Sequence, residues 1–429
     1  MSTYLICSTP IHGNVSPMTV IGKHLASLGH RVVMLTGSRF AERVTDAGME
    51  FRALTGAADF DDRDVDSYLP DRERFRGLAR AQYEIQTIFV KTIPAQYAQV
   101  VALIDDLKPD AVLVDSTFAG VAPLLLDPNA ERPPILGFGV SPLSQASADV
   151  APYGMGLAPM AGPAGRIRNR VLNFVAHKVL FRPTQKVGER MFADAGALPL
   201  KQFIMDLSEC FDRYLQLNTS RFEYPRSDLS PNALFVGPLP SAPSSTPLPD
   251  WWADLDGTRK VVHVSQGTID NRDLSRLIRP TIEALAASDV LVVVSMGGGD
   301  AATLGPVPSN VRVADYLPYD HLLPLVDVFV TNGGFGGVQH ALREGVPIVI
   351  AGDTEEKPEV AARIAWSGVG VNLRTGSPTA DAVRTAVETV LADGSYLAAA
   401  REQAAHIAQL APLEAIEREV AAAVVVRRA

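Results

Sequence analysis

The sequence predicts an α/β protein of two domains, each a parallel sheet built from βαβ units, facing one another across a cleft. Three observations carry this expectation. From Val326 to Asp353 the chain reads VDVFVTNGGFGGVQHALREGVPIVIAGD: an apolar strand (Val328 to Val330), four glycines, a helical pattern and a second apolar strand (Pro347 to Ala351). The same rhythm of strand, loop, helix and strand opens the chain at Tyr4. Between the two series lies SPNALFVGPLPSAPSSTPLPDWW, whose prolines and serines mark an interdomain linker.

In chain order, Tyr4 to Cys7 is a strand and Ser8 to Ser16 a loop. A helix follows from Pro17 to Leu28, with Ser16 as N-cap and Pro17 at the first helical position. Gly29 ends it, and Arg31 to Leu35 is the next strand. Asp59 to Arg80 is dense in charge, either a solvated surface loop or a mobile flap. Tyr83 to Asp106 reads as a long helix broken or kinked by Pro94. The strand Ala111 to Val114 ends in Asp115, which either faces the crevice where open α/β sheets bind ligands or caps the next helix. After the strand Ile135 to Val140, a stretch to Gly165 rich in Pro, Gly, Ala and Met suits an apolar wall. Beyond the linker, Leu229 to Leu255, come strands at Val261 to Ser265 and Val290 to Ser295, and Ala411 to Val425 is helical. The expected division is 1–228, linker 229–258, 259–410, and a terminal helix in 411–429.

Composition excludes several classes. With 47% hydrophobic and 20% charged residues the 429-residue chain is an ordinary globular protein. A net charge of −9, with no basic run to offset it, argues against nucleic acid and against an anionic membrane surface. Cys7 and Cys210 make neither a disulfide framework nor a metal site. Met1 to Ser8 lacks the features of a signal peptide, and no apolar run approaches the roughly 20 residues of a membrane span. A cytoplasmic protein is expected; a homodimer is left open.

The turn at Asn332 carries the clearest chemistry. Gly334, Gly336 and Gly337 let a ligand approach the backbone, and the amides of the helix opening there, through Phe335 to Val338, lie at the positive end of its dipole. A phosphate or diphosphate fits. A nicotinamide-binding turn would want an acidic residue about 20 positions on, and Asp353 stands 19 after Gly334; Gln339, where helix and strand must pack closely, argues against it. Two more loops follow strands: Ser265-Gln266-Gly267-Thr268 and Met296 to Gly299 with Gly297. The first half offers His12 and Asn14 in IHGNVSP, and Asp115. A histidine oriented by a carboxylate is a candidate general base.

These residues together resemble the family 1, UGT-like glycosyltransferases of the GT-B fold, in particular the actinobacterial branch that decorates macrolides and other natural products. The likeness runs through HGNVSP, GHRVVMLTG, PLPDWW, VVHVSQGT, DYLPYDHLLPLVDVFVTNGGFGG and GVPIVIAG, nearly the whole chain. The resemblance implies two Rossmann-like domains and an inverting transfer from a UDP- or dTDP-sugar to a hydroxyl of a lipophilic small molecule, with no cofactor and no metal. The family's base histidine falls on Asn14, which leaves His12 or Asp115 to act, Asp115 matching the base-orienting aspartate. A catalytically impaired or auxiliary nucleotide-sugar-binding protein is the alternative that Asn14 raises. On the donor side the resemblance implies Gly13, Gln266, Gly267, Thr268, Met296, Gly297, Asn332 in place of a histidine, Gly334 to Val338, and His340 in place of a ribose-binding glutamate. It adds Glu355, Glu356 and Lys357 for the sugar, and Tyr316 or Leu317 against the nucleobase. Tyr83, Phe89, Phe138, Met155 and Met160 are the expected acceptor wall.

Overall fold

A computed structural model describes residues 1–240, 246–268, 271 and 273–428. Seven parallel strands form the first sheet: β1 (Thr3–Cys7), β2 (Arg31–Thr36), β3 (Glu50–Ala53), β4 (Ala111–Asp115), β5 (Ile135–Gly139), β6 (Arg213–Gln216) and β7 (Ala233–Phe235), in the order β3-β2-β1-β4-β5-β6-β7. Strands buried on both faces must be apolar through their middles, and β1, β2, β4 and β5 are. One face, with Ile6, Met34, Leu113 and Leu136, packs on Val15, Met18 and Ile21 of the helix His12–Ser27. The other, with Leu5, Val33, Val112 and Val114, meets Val100 of the helix Ile93–Leu107.

The second sheet has six parallel strands: β8 (Lys260–Ser265), β9 (Val290–Ser295), β10 (Val311–Ala314), β11 (Val328–Thr331), β12 (Ile348–Ile350) and β13 (Gly370–Asn372), in the order β10-β9-β8-β11-β12-β13. In both sheets the strand order reverses once, between β1 and β4 and between β8 and β11. Such reversals open a crevice at the carboxyl ends of the strands. Thr9 and Asp115 lie at the first crevice, Gln266 and Asn332 at the second.

Several sequence expectations are corrected. The first helix begins at His12, with Pro17 inside its first turns and no cap from Ser16. The long helix is interrupted by a π turn at Gln86–Val90, and Pro94 sits at the start of the helix that follows, where its missing N–H costs nothing. By length and composition 77–107 would pass for a membrane span, yet Ile93, Gln96 and Val100 are buried in the domain. The charged segment lies mostly on the surface, as a solvated loop would, but is held at Asp62, which is 2% exposed, accepts from His12 N at 2.7 Å and pairs with Arg39. Within the expected linker, β7 joins the first sheet, and Trp251 and Trp252 pack on the second domain's core; 241–245 lie outside the described residues.

Two connections tie the halves together. The helix Pro412–Arg428 returns to the first domain, burying Ile416 and Val420 beside Val15 and Met18, each worth about 1.5–3 kcal/mol by leaving water. Across the cleft, Arg363 is 1% exposed between two carboxylates, its Nε 2.8 Å from Glu223 Oε1 and its Nη1 2.7 Å from Glu359 Oε2. Burial pushes the Glu223 carboxyl up, but Arg363 and Arg226 outweigh it and hold the group below its usual range.

Candidate active site

At the first crevice a buried carboxylate is saturated with donors. Asp115 closes β4, is fully buried, and accepts from Thr9 N (2.7 Å), Asn14 Nδ2 (2.9 Å), Thr117 N (2.8 Å) and Thr117 Oγ1 (2.6 Å). Burial raises its pKa against these bonds. Because carboxylate oxygens only accept, Asn14 must turn its NH₂ inward, towards Asp115 and Thr117 Oγ1 (2.6 Å). Its carbonyl Oδ1 is then the atom left for a ligand. Asp115 therefore orients residue 14 and does not itself open onto the cleft.

His12 is not oriented by Asp115. In a helix, positions i and i+2 point away from each other, so starting the helix at His12 turns its ring from Asn14. The ring Nδ1 lies 3.4 Å from Arg43 Nη1. Burial, then Arg43 and Arg39, lower its pKa to about 4, which makes it neutral and weakly basic at neutral pH. Gly13 is exposed, with open space above its Cα.

The second crevice is lined by backbone. The helix Phe335–Glu344 has Gly334 at its N-cap, no side-chain cap and no acidic residue in its first turn. Nothing stands within 4 Å of where a Cβ would sit on Gly334 or Gly336, which leaves that end of the helix open. Asn332 does not face outward: its Nδ2 donates to Gln266 O at 2.6 Å, locking β8 to β11. Gln266 is likewise structural, its Oε1 accepting from Leu277 N and Ile278 N at the start of the next helix. Gly267 (φ 74°) and Gly297 (φ 64°) bring their loops into contact, and Asn271 Nδ2 bridges them, 3.2 Å from Gly267 O and 3.0 Å from Met296 O. Met296 itself is core, whereas Thr268 is exposed. Tyr316 is 53% exposed and Leu317 1%, so Tyr316 is the ring available to a nucleobase. Val338 is buried, and His340 is held neutral by burial and Arg343, its pKa lowered to about 4. Gln339 reaches Asn218 of the first domain at 3.4 Å.

At the positions expected to hold the sugar, the Glu356 carboxyl accepts from the Phe335 amide, and burial followed by Glu355 raises its pKa. Lys357 Nζ is 2.9 Å from Glu355 Oε2 and 3.0 Å from Thr354 Oγ1. The acceptor expectation holds less well. Phe138 is fully buried core, Tyr83 packs on Phe75, Phe89 and Met155 are half-buried, and Met160 is 40% exposed. The small cavity on this side is lined instead by Ala146, Pro152, Tyr153, His177, Phe203 and Met205.

The structure adds residues the sequence reading missed: Thr9, Thr117, Asn271, Tyr153, Arg276 and Glu359. Arg276 lines the second crevice with Gln266, Asn332 and Gly352 and pairs with Asp353 at 2.6 Å. Gly154 N (3.0 Å) and Gly156 N (2.8 Å) both donate to Glu359 Oε1, and Tyr153 feels the Glu356 carboxylate. The loop around Gly154 in the first domain is thus fastened to the helix Lys357–Trp366 of the other domain. Only the Glu359 and Arg363 spacing, an i, i+4 pair on a helix, was visible in advance.

Two sheets with facing switch points, one holding a carboxylate and the other an open helix N-terminus, define a two-domain group-transfer scaffold. Residues 279–422 match the family described as Erythromycin biosynthesis protein CIII-like, C-terminal domain. The chain is 37% identical to 4'-demethylrebeccamycin synthase of Lentzea aerocolonigenes over 96% of its own length and 97% of that protein. It is 36% identical to UDP-glycosyltransferase 2 of Phaeomoniella chlamydospora, covering 91% of this chain and 89% of the relative. In fold it matches the calicheamicin glycosyltransferase CalG4 with a TM-score of 0.73 and 20% identity, over 99% and 98% of the two chains. The chain belongs to the GT-B glycosyltransferases of natural-product biosynthesis.

Proposed function

We propose that this glycosyltransferase moves a sugar from a nucleoside diphosphate, UDP or dTDP, to a hydroxyl of a lipophilic natural product, with inversion at the anomeric carbon. The observation that carries the reading is the facing of the two crevices, fastened where Gly154 and Gly156 meet Glu359. The diphosphate lies on the open amides near Gly336, where backbone donors and the helix dipole stabilise the leaving group without a metal or other cofactor. Arg276 stands near enough to add positive charge; Tyr316 stacks on the nucleobase; Glu356 accepts hydrogen bonds from sugar hydroxyls.

On the acceptor side, Asn14 Oδ1 takes a hydrogen bond from the attacking group while Asp115 fixes the amide. An amide orients but does not remove a proton, so the rate depends on the acceptor's own acidity, and phenols outrun alkyl alcohols. Two free cysteines support a reducing compartment, the cytoplasm. The test is product formation by mass spectrometry for this chain and Asn14→His, with UDP- and dTDP-sugars and pooled phenolic and macrolide acceptors. Glycosylated phenols from the unmodified chain are the expected result. Product from Asn14→His alone would favour a scaffold that has lost its base, and none from either, with nucleotide bound, a nucleotide-sugar-binding protein.

A further inference from the structure

The helix Gly162–Val175 is mounted with its polar face inward. Asn169, fully buried, donates to Ala148 O at 3.0 Å, Asn173 donates to Ser147 O at 3.3 Å, and Gly165 packs on the Met160 carbonyl. Facing out at i, i+4 and i+7 are Ile167, Val171 and Phe174, 64%, 55% and 64% exposed, and Val179 at 58% extends the row. An ordinary surface helix has these faces exchanged, and an apolar row of this kind marks a surface that meets something.

The charges say what. Between 162 and 190 there are seven Lys and Arg against Glu189 alone, in a chain of net charge −9. Arg166 reaches Asp149, but among the described residues Arg170, Lys178, Arg182 and Lys186 form no ion pair. Arg170 borders the apolar row on one side and Lys178 stands beside Val179 beyond Phe174, both exposed. We propose that this face docks on an anionic lipid bilayer, with Phe174, Ile167 and Val171 in the boundary between headgroups and acyl chains and the cations on lipid phosphates. A second copy fits worse, because two-fold pairing would set the same cations against themselves. The whole-chain charge, which argued against a membrane surface, averages over this local excess. The row follows directly on the loop carrying Tyr153, so an acceptor dissolved in the bilayer would reach the acceptor side of the cleft first.

The experiment is co-sedimentation of the full chain with vesicles of phosphatidylcholine alone or enriched in phosphatidylglycerol, at low and high salt. Binding to the anionic vesicles is expected, weakened about tenfold or more in an Ile167→Ser, Phe174→Ser double variant. It should fall about fivefold for each of Arg170→Gln and Lys178→Gln. All four side chains are exposed, so the melting temperatures should stay with the parent. As a second readout, the emission of Phe174→Trp should be quenched by brominated acyl chains. No partition onto anionic vesicles, partition untouched by the double serine variant, or an unquenched Trp would overturn the proposal. So would a parent dimer that the serines convert to monomer, which would identify a second copy as the cover.

Discussion

The two switch points share one topology and have opposite polarity. At the first, four donors converge on the Asp115 carboxylate and leave the Asn14 carbonyl facing out. At the second, the side chains of Asn332 and Gln266 turn inward to hold the frame, Glu356 takes the Phe335 amide, and the helix start carries no side-chain cap beyond it at the open Gly336. The difference teaches that strand order decides where a ligand can sit and that the loop residues decide its charge. On the proposed reading, one crevice orients a nucleophile and the other receives an anion.

The comparison is broken most severely at the link between the halves. Arg363→Ala leaves Glu359 buried without a counter-charge and Glu223 with Arg226 alone, and should cost about 3–5 kcal/mol of stability, read by calorimetric unfolding. Asp115→Ala should lower the transfer rate about 100-fold and leave nucleotide affinity alone, measured by steady-state kinetics beside titration. Asn14→His should raise transfer about tenfold and introduce an activity limb that rises with pH as the new imidazole loses its proton. The parent should lack that limb, since His12 titrates at about 4. Tyr316→Ala should weaken nucleotide binding by about 1 kcal/mol, roughly fivefold, with acceptor KM unchanged.

A smaller effect reads the two domains through pH. His263 is fully buried in β8, with Nδ1 2.9 Å from Val293 O, and burial lowers its pKa to about 4; His12 and His340 are lowered similarly. Unfolded, each binds a proton more tightly than when folded. Their contribution is therefore fully present above the ordinary histidine value near 6.5 and lost as pH falls towards 4. Melting temperature should decline over that window, and less steeply in His263→Phe.

Much of this architecture was legible. Runs such as VVHVS and VLVVVS, almost wholly apolar, read as strands covered on both faces, and the cluster of glycines after Asn332 pointed to a close approach of the backbone. What stayed hidden was long-range. The sequence order of IHGNVSP suggested a loop, and only the helix start at His12 reveals that His12 and Asn14 diverge. Phe138 reads as a pocket residue or a core residue equally well until its neighbours are known. Gly154 and Glu359 are more than 200 positions apart, and no local pattern announces their contact. The exposed row on Gly162–Val175 was missed because periodicity reports that a helix has an apolar face and not which way it is turned.

The most direct measurement is titration of UDP and dTDP into three chains side by side: the parent, Asp115→Ala, and Gly336→Asp, which sets a carboxylate in the open first turn, where it favours the helix but repels an anion. Equal affinity in the parent and Asp115→Ala, with a loss of about tenfold or more in Gly336→Asp, is the expected result. An Asp115→Ala chain that loses the nucleotide while Gly336→Asp retains it would contradict the division of labour between the two crevices.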